Sequence, residues 1–101
     1  MEIDKVYGII GMANRARRLV SGDETCERTI RLGKAKLCIA AENASENTKK
    51  KFTNMCNYRN VKLIFWGDKE MLGKFTGKAV RAVIVVTDNG FSKKIQELIG
   101  E

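Results

Sequence analysis

The amino-acid sequence predicts an α/β fold, a three-layer α/β/α sandwich with a central mixed four-stranded sheet. Three observations support it. Segments with apolar residues at helical spacing alternate with short apolar runs from one end of the chain to the other. Three of those runs, AKLCIAA (residues 35–41), VKLIFW (residues 61–66) and RAVIVVT (residues 81–87), are too short for helices and read as buried strands. The 101 residues contain no proline, linker or internal repeat, and their 44% apolar content suffices for one core. A single domain spanning residues 1–101 is expected.

The first helix carries Ile3, Val6, Tyr7, Ile10 and Ala13 on one stripe. It ends in RARR (residues 15–18), cations that suit a helix C-terminus. Leu19 and Val20 can form a very short strand. Ser21 then looks like an N-cap with Glu24 three residues later, a capping box, and Gly33 marks the end of this second helix. AKLCIAA, too uniformly apolar for an edge strand, reads as a strand covered on both faces. Ser45 caps a third helix, with Phe52, Met55 and Cys56 turned inward beneath the solvated run Lys49, Lys50 and Lys51. VKLIFW follows as a second buried strand, and Asp68 caps a short helix bearing Met71, Leu72 and Phe75. After RAVIVVT, the residues Phe91, Ile95, Leu98 and Ile99 mark a closing helix.

The formal net charge of +7 and a pI near 9.5 favour a polyanionic partner, most simply nucleic acid. The three cysteines, Cys26, Cys38 and Cys56, are odd in number and set among apolar neighbours, so they read as buried thiols in a reducing compartment. No leader is evident and no apolar run approaches the roughly 18 residues of a membrane span, so a cytoplasmic protein without membrane contact is expected.

Chemistry is scarce. The chain has no histidine, which removes the commonest general base and the usual zinc sites. GDKEMLGK (residues 67–74) has the look of a phosphate-binding loop, but its glycines are too far apart and Phe75 stands where a Ser or Thr would hold magnesium. Trp66 offers a stacking platform for a base, although a tryptophan ending an apolar strand is more often core or rim. No catalytic residue, metal site or cofactor is expected.

The stretch SGDETCERTIRLGKAKLCIAAENAS (residues 21–45) resembles the G-x-N-E-x-x-K helix, the glycine and the AKLVIIAED strand of the kink-turn RNA-binding ribosomal protein family of the L-seven-Ae type. KEMLGKFTGK resembles that family's K-x-x-LG-x-x-x-G helix, and RAVIVVTDNGF its last strand. GMANRARRLVSGDE, NTKKKFTNMCNY and VTDNGFSKKI look most like the bacterial YlxQ-type branch.

The resemblance implies a module whose second helix starts in the major groove of a bent RNA, beside tandem sheared G·A pairs. A loop before the last strand covers the flipped-out nucleotide at the bend. It places Gly22 at the family glycine, Glu24 at the motif's Asn, Thr25 at its Glu, Arg28 at its Lys and Lys69 at the lysine of the K-x-x-LG helix. Asp23 lies within the same turn. The residues Lys78, Ala79, Val80 and Arg81 match the covering loop, with Ala79 and Val80 as the apolar contact.

The family's Asn-Glu pair is here Glu-Thr, and Asp23 and Glu24 put negative charge where phosphates approach, so the same site with different base preferences is implied. The residue chemistry is compatible with RNA. A helix start presents free N–H groups, Glu24 can accept from base amino groups, and Arg28 can donate to guanine or phosphate. The ordinary alternative is a capping box plus a Glu24–Arg28 ion pair worth ~0.3 kcal/mol.

Implied partners are structured RNA of kink-turn or ribosomal kind and the ribosome itself, with a monomeric chain. The competing classes are a protein–protein adaptor on the same fold and, less in keeping with the composition, a cysteine enzyme.

Overall fold

The most uniformly apolar segments occupy the middle of a four-stranded sheet. The computed structural model describes residues 2–101. Its elements follow in the order α1 (Glu2–Arg15), β1 (Leu19–Ser21), α2 (Asp23–Arg31), β2 (Leu37–Ala40), α3 (Glu46–Arg59), β3 (Leu63–Phe65), α4 (Lys69–Phe75), β4 (Val83–Val86) and α5 (Asn89–Ile99). The strand order is β1-β4-β2-β3, with β4 antiparallel to both β1 and β2 and β3 parallel to β2. β2 and β4 are buried at every position, as expected of strands covered on both faces.

The alternation of side chains along those strands divides the core in two. Leu37, Ile39, Ile84 and Val86 face Val6, Tyr7, Ile10 and Ala13 of α1, Leu72 of α4 and Ile95 of α5. Cys38, Ala40, Val83 and Val85 face Cys26 and Ile30 of α2 and Phe52 and Cys56 of α3. The three-layer mixed-sheet sandwich is thus the observed architecture, and all three thiols are free and buried in the α2–α3 layer.

Two expectations need correction. VKLIFW is not a buried strand: β3 is three residues long at the sheet edge, only Ile64 is buried, and Phe65 is 42% exposed. An edge strand lacks a neighbour on one side, which leaves one flank open whatever its composition. Ile3 is half exposed instead of buried with the α1 stripe, and lines an open cleft together with Tyr7, Trp66 and Met71.

The termini of the helices follow from local chemistry. Ser45 and Asp68 cap α3 and α4 as expected, accepting from the amides of Thr48 at 3.1 Å and Met71 at 2.8 Å. Asp88 does the same for α5 through the amide of Phe91 at 2.8 Å. At the end of α2, Gly33 has φ +75°. Its amide donates to the Ile30 carbonyl at 3.1 Å, and that of Lys34 to Thr29 at 3.2 Å, the paired bonds of a glycine-closed helix end.

Candidate nucleic-acid interface

Strand directions bring the expected contact residues to one place. Because β4 opposes both β1 and β2, the strands β1, β2 and β3 all point the same way. The helices α2, α3 and α4 follow those three strands directly, so all three begin at the same edge of the sheet. The loop entering β4 reaches the same edge, since Ser21 at the end of β1 pairs with Ile84 and Ala40 at the end of β2 pairs with Val83, the first residue of β4. Helix starts carry unpaired N–H groups and partial positive charge, so this edge is suited to phosphate oxygens and base acceptors.

The start of α2 differs from the capping box expected from sequence. Its N-cap is Gly22, not Ser21, and it makes no side-chain cap. Ser21 is the last residue of β1, and its hydroxyl instead accepts from Arg81 Nε at 3.0 Å. Gly22 adopts φ 94° and ψ 148°, a conformation essentially confined to glycine. Its amide donates to the Val83 carbonyl at 3.0 Å, which fastens the turn to β4. The amides of Asp23, Glu24 and Thr25 are left without a capping side chain.

The expected Glu24–Arg28 ion pair is also not formed. Arg31 instead reaches Glu27 at 3.0 Å, an i,i+4 pair three residues further along α2, and Glu27 also meets Lys51 at 3.2 Å. Among the described residues Arg28 has no ion-pair partner, and it and Glu24 are exposed. The structural roles that the sequence offered to this turn are therefore not taken up.

Arg81 ties the other parts of the edge to this turn. Its amide donates to the Lys69 carbonyl at 2.9 Å, and its guanidinium lies 3.6 Å from where a Cβ on Gly22 would stand. Lys69 at the start of α4 is half-buried. Lys78 and Ala79 are exposed, and Val80 is 45% exposed, an apolar side chain left in water beside the cations. Gly22, Arg81, Lys69 and the 78–80 segment are thus brought together. Asp23, Glu24, Thr25 and Arg28 continue from them along the first turns of α2.

Sequence reasoning missed two supporting residues. Asn43 closes the start of α4: its Oδ1 accepts from the Lys69 amide at 2.9 Å and its Nδ2 donates to Glu70 Oε1 at 3.2 Å. The only hint was a polar pair, Glu42-Asn43, interrupting an apolar strand end. Gly73 lies inside α4, where glycine costs about 1 kcal/mol relative to Ala. A Cβ there would lie 2.8 Å from the backbone of Ala79 and Val80, so the missing side chain is what lets the loop rest on the helix.

The neighbouring titratable groups are structural. Burial, and then the charge of Asp23, pushes the Cys26 thiol well above its ordinary range. Its Sγ donates to the carbonyls of Val83 at 3.6 Å and Val20 at 3.7 Å. A hydrogen bond with Cys56, reinforced by burial, raises the Cys38 thiol likewise. Tyr7 is raised by burial, and its hydroxyl accepts from the Asp68 amide at 3.2 Å. Trp66 leans on Tyr7, with centroids 4.6 Å apart, and packs against the core, the role expected of it in place of base stacking. Among the described residues no cluster of acids and thiols is arranged to hold a metal, and no helix is long and apolar enough to cross a membrane.

A three-layer α/β/α domain that gathers helix starts, basic side chains and an apolar loop at one sheet edge is a class of macromolecule-binding module. The chain belongs to the ribosomal protein L7Ae/L30e/S12e/Gadd45 family, whose model matches residues 4–96. It is 42% identical over 93 residues to the RNA-binding protein YlxQ of Bacillus subtilis, covering 92% of this chain and 93% of that one. It is 40% identical over 95 residues to the RNA-binding protein YlxQ of Enterococcus faecium, covering 94% and 91%. These relatives are named for RNA binding and not for a reaction, in agreement with the non-catalytic module expected from sequence.

A solved structure of a protein with unknown function from Bacillus halodurans superposes with a TM-score of 0.90 at 37% identity, covering 96% of this chain and 98% of that one. The Giardia lamblia 15.5kD RNA binding protein superposes with a TM-score of 0.79 at 17% identity, covering 98% and 85%, which extends the likeness of fold to a distant chain.

Proposed function

We propose that this chain is a non-catalytic, single-domain RNA-binding protein that recognises bent, kink-turn-like RNA and works as a monomer in the cytoplasm, in association with the ribosome. In this reading the first turn of α2 enters the groove beside tandem G·A pairs. Gly22 permits close approach of the RNA backbone, and the free amides with Asp23, Glu24 and Thr25 meet base edges or phosphate. Arg28 donates to a guanine edge or a phosphate, Lys69 and Lys78 supply charge, and Ala79 and Val80 cover the displaced nucleotide. Arg81 holds the two halves of the site together.

The observation that carries this reading is the uncapped start of α2, tied through Arg81 to the Val80 loop, in a chain whose relatives are named RNA-binding proteins. Asp23 and Glu24 favour one other reading, an adaptor that docks a partner's basic patch. The decisive test lies in the RNA. Converting the tandem G·A pairs to Watson–Crick pairs keeps the phosphate charge and removes the kink, so affinity should fall to the non-specific level with its steep salt dependence. A straightened duplex that binds equally well would refute the kink-turn reading.

A further inference from the structure

The chain's positive charge is not concentrated where the contact edge lies. The first turns of α2, α3 and α4 bring Asp23, Glu24, Glu46 and Glu70 to that edge. The opposite edge is where α1, α2 and α3 end and where β1, β2 and β3 begin. Part of this segregation is the ordinary pairing of charges with helix dipoles, which accounts for the acids just named and for Arg15, Arg31 and Arg59 in the last turns.

It does not account for the cations that follow those helices and precede the strands. Arg18 stands immediately before β1, Lys36 before β2 and Lys62 before β3, with Lys34 beside them, and all four are exposed. Register confirms the alignment: Leu19, Leu37 and Val86 are partners at this edge, where the Lys36 amide donates to Val86 at 2.8 Å and the Thr87 amide to Arg18 at 2.9 Å.

Only part of this charge is neutralised. Lys62 meets Glu101 at 3.1 Å and Arg31 meets Glu27 at 3.0 Å. Among the described residues Arg18, Lys34, Lys36 and Arg59 make no ion pair. At strand spacings of ~4.8 Å the starts of β1 to β3 form a row on the order of 15 Å long. A row of cations fits a linear polyanion better than a compact acidic patch.

One further residue stands out in this row. Tyr58 is 84% exposed on the last turn of α3, with the Arg59 guanidinium 5.5 Å from its ring centroid. An aromatic ring flanked by a guanidinium is a stacking surface for an unpaired base.

We infer that this opposite edge is a second RNA-binding surface, which grips a single-stranded segment through its phosphates while Tyr58 stacks an unpaired base. The protein then holds two RNA elements at opposite edges of one sheet. The inference does not depend on what the start of α2 recognises.

The test is fluorescence anisotropy with three RNAs: a blunt kink-turn, the same kink-turn with a short single-stranded extension, and the single strand alone. The variant Lys34→Gln/Lys36→Gln/Arg59→Gln leaves the first edge untouched, and a thermal melt checks its fold. The extension should raise affinity in the parent. The triple variant should lose about tenfold on the extended RNA and on the single strand, with the salt slope flattened by roughly two units at ~0.7 per phosphate contact, and bind the blunt RNA unchanged. Tyr58→Ala should reduce the benefit of the extension several-fold without altering the slope.

Parent-like binding of every RNA by the triple variant would overturn the inference, as would an equal loss on all three, which marks unspecific charge. Loss of binding to anionic lipid vesicles with RNA binding intact would assign the edge to a membrane and overturn it too. If the parent ignores the blunt kink-turn, the proposed function fails, while the single-strand arm still decides this surface.

Discussion

α2 and α4 begin at the same edge of the sheet and are linked through Arg81, yet they begin in opposite ways. The start of α4 is closed twice over: Asp68 accepts from the Met71 amide, and Asn43 accepts from that of Lys69. The start of α2 is open, with a glycine N-cap and no side chain over its first amides. A side-chain cap is worth about 1 kcal/mol, so the open start forgoes stability that its neighbour keeps. What it gains is backbone free to meet a ligand, while the closed helix serves as the rigid rest for the Val80 loop. In the proposed reading, the difference separates the surface that touches RNA from the support that positions it.

The support should be the costlier part to disturb. Gly73→Ala places a methyl 2.8 Å from the Ala79–Val80 backbone, so it should destabilise by ~2–3 kcal/mol in urea titrations, although Ala is the better helix former. It should also weaken RNA binding by displacing the loop. A stabilised variant would show that the loop is not braced on α4.

At the open start, two changes should separate folding from contact. Gly22→Val forces a branched residue into φ 94° and should cost roughly 1–3 kcal/mol in stability, with a further loss of RNA affinity that denaturant melts do not explain. Arg28→Ala should leave stability within a few tenths of a kcal/mol and weaken RNA binding by roughly 1–3 kcal/mol if the side chain donates to a guanine edge. Unchanged affinity for both variants would make the open start a bare structural turn.

The caps give a direct contrast. Asp68→Ala should cost ~1 kcal/mol of stability with RNA affinity held within a few-fold. Ser21→Ala removes no cap and should shift the melting curve much less, its effect being confined to the Arg81 loop. Equal costs for the two would restore Ser21 as a cap.

The smallest expected effect lies beneath the site. Burial raises the Cys26 thiol in the folded protein from its ordinary value of 9.0. Its contribution is therefore complete below pH 9 and declines above it, as the unfolded chain ionises first. By about pH 9.5 the loss should stay below ~1 kcal/mol, and Cys26→Ala should remove that part of the pH dependence in chemical denaturation. The same variant should keep RNA affinity within a few-fold.

The comparison also shows what the sequence could and could not convey. AKLCIAA and RAVIVVT hold the apolar cores LCIAA and AVIVV, too short for helices and too continuous for edge strands, so the sandwich was legible. The caps Ser45 and Asp68 were legible because each precedes its helix directly. Ser21-x-x-Glu24 has the same form and a different meaning. The chain needs glycine at position 22 to leave β1 at φ 94°, which moves the helix start one residue along and takes Ser21 out of reach. Asn43 and Gly73 act on residues distant in sequence; the K-x-x-LG pattern contains Gly73 but not the loop that rests on it, and no pattern marks Asn43. VKLIFW misled because composition reports apolarity but not whether a neighbouring strand exists.

The distribution of sulfur gives the molecule a selective clock. All three thiols sit between the sheet and the α2–α3 pair, and none sits beneath α1, α4 or α5. A thiol reagent therefore times the opening of only one of the two cores. When α2, which carries the open start, lifts from the sheet, labelling should begin, whereas fraying of α1 or α5 should pass unrecorded. Labelling slowed by bound RNA would then measure how firmly the ligand clamps that one layer, separately from the stability of the whole.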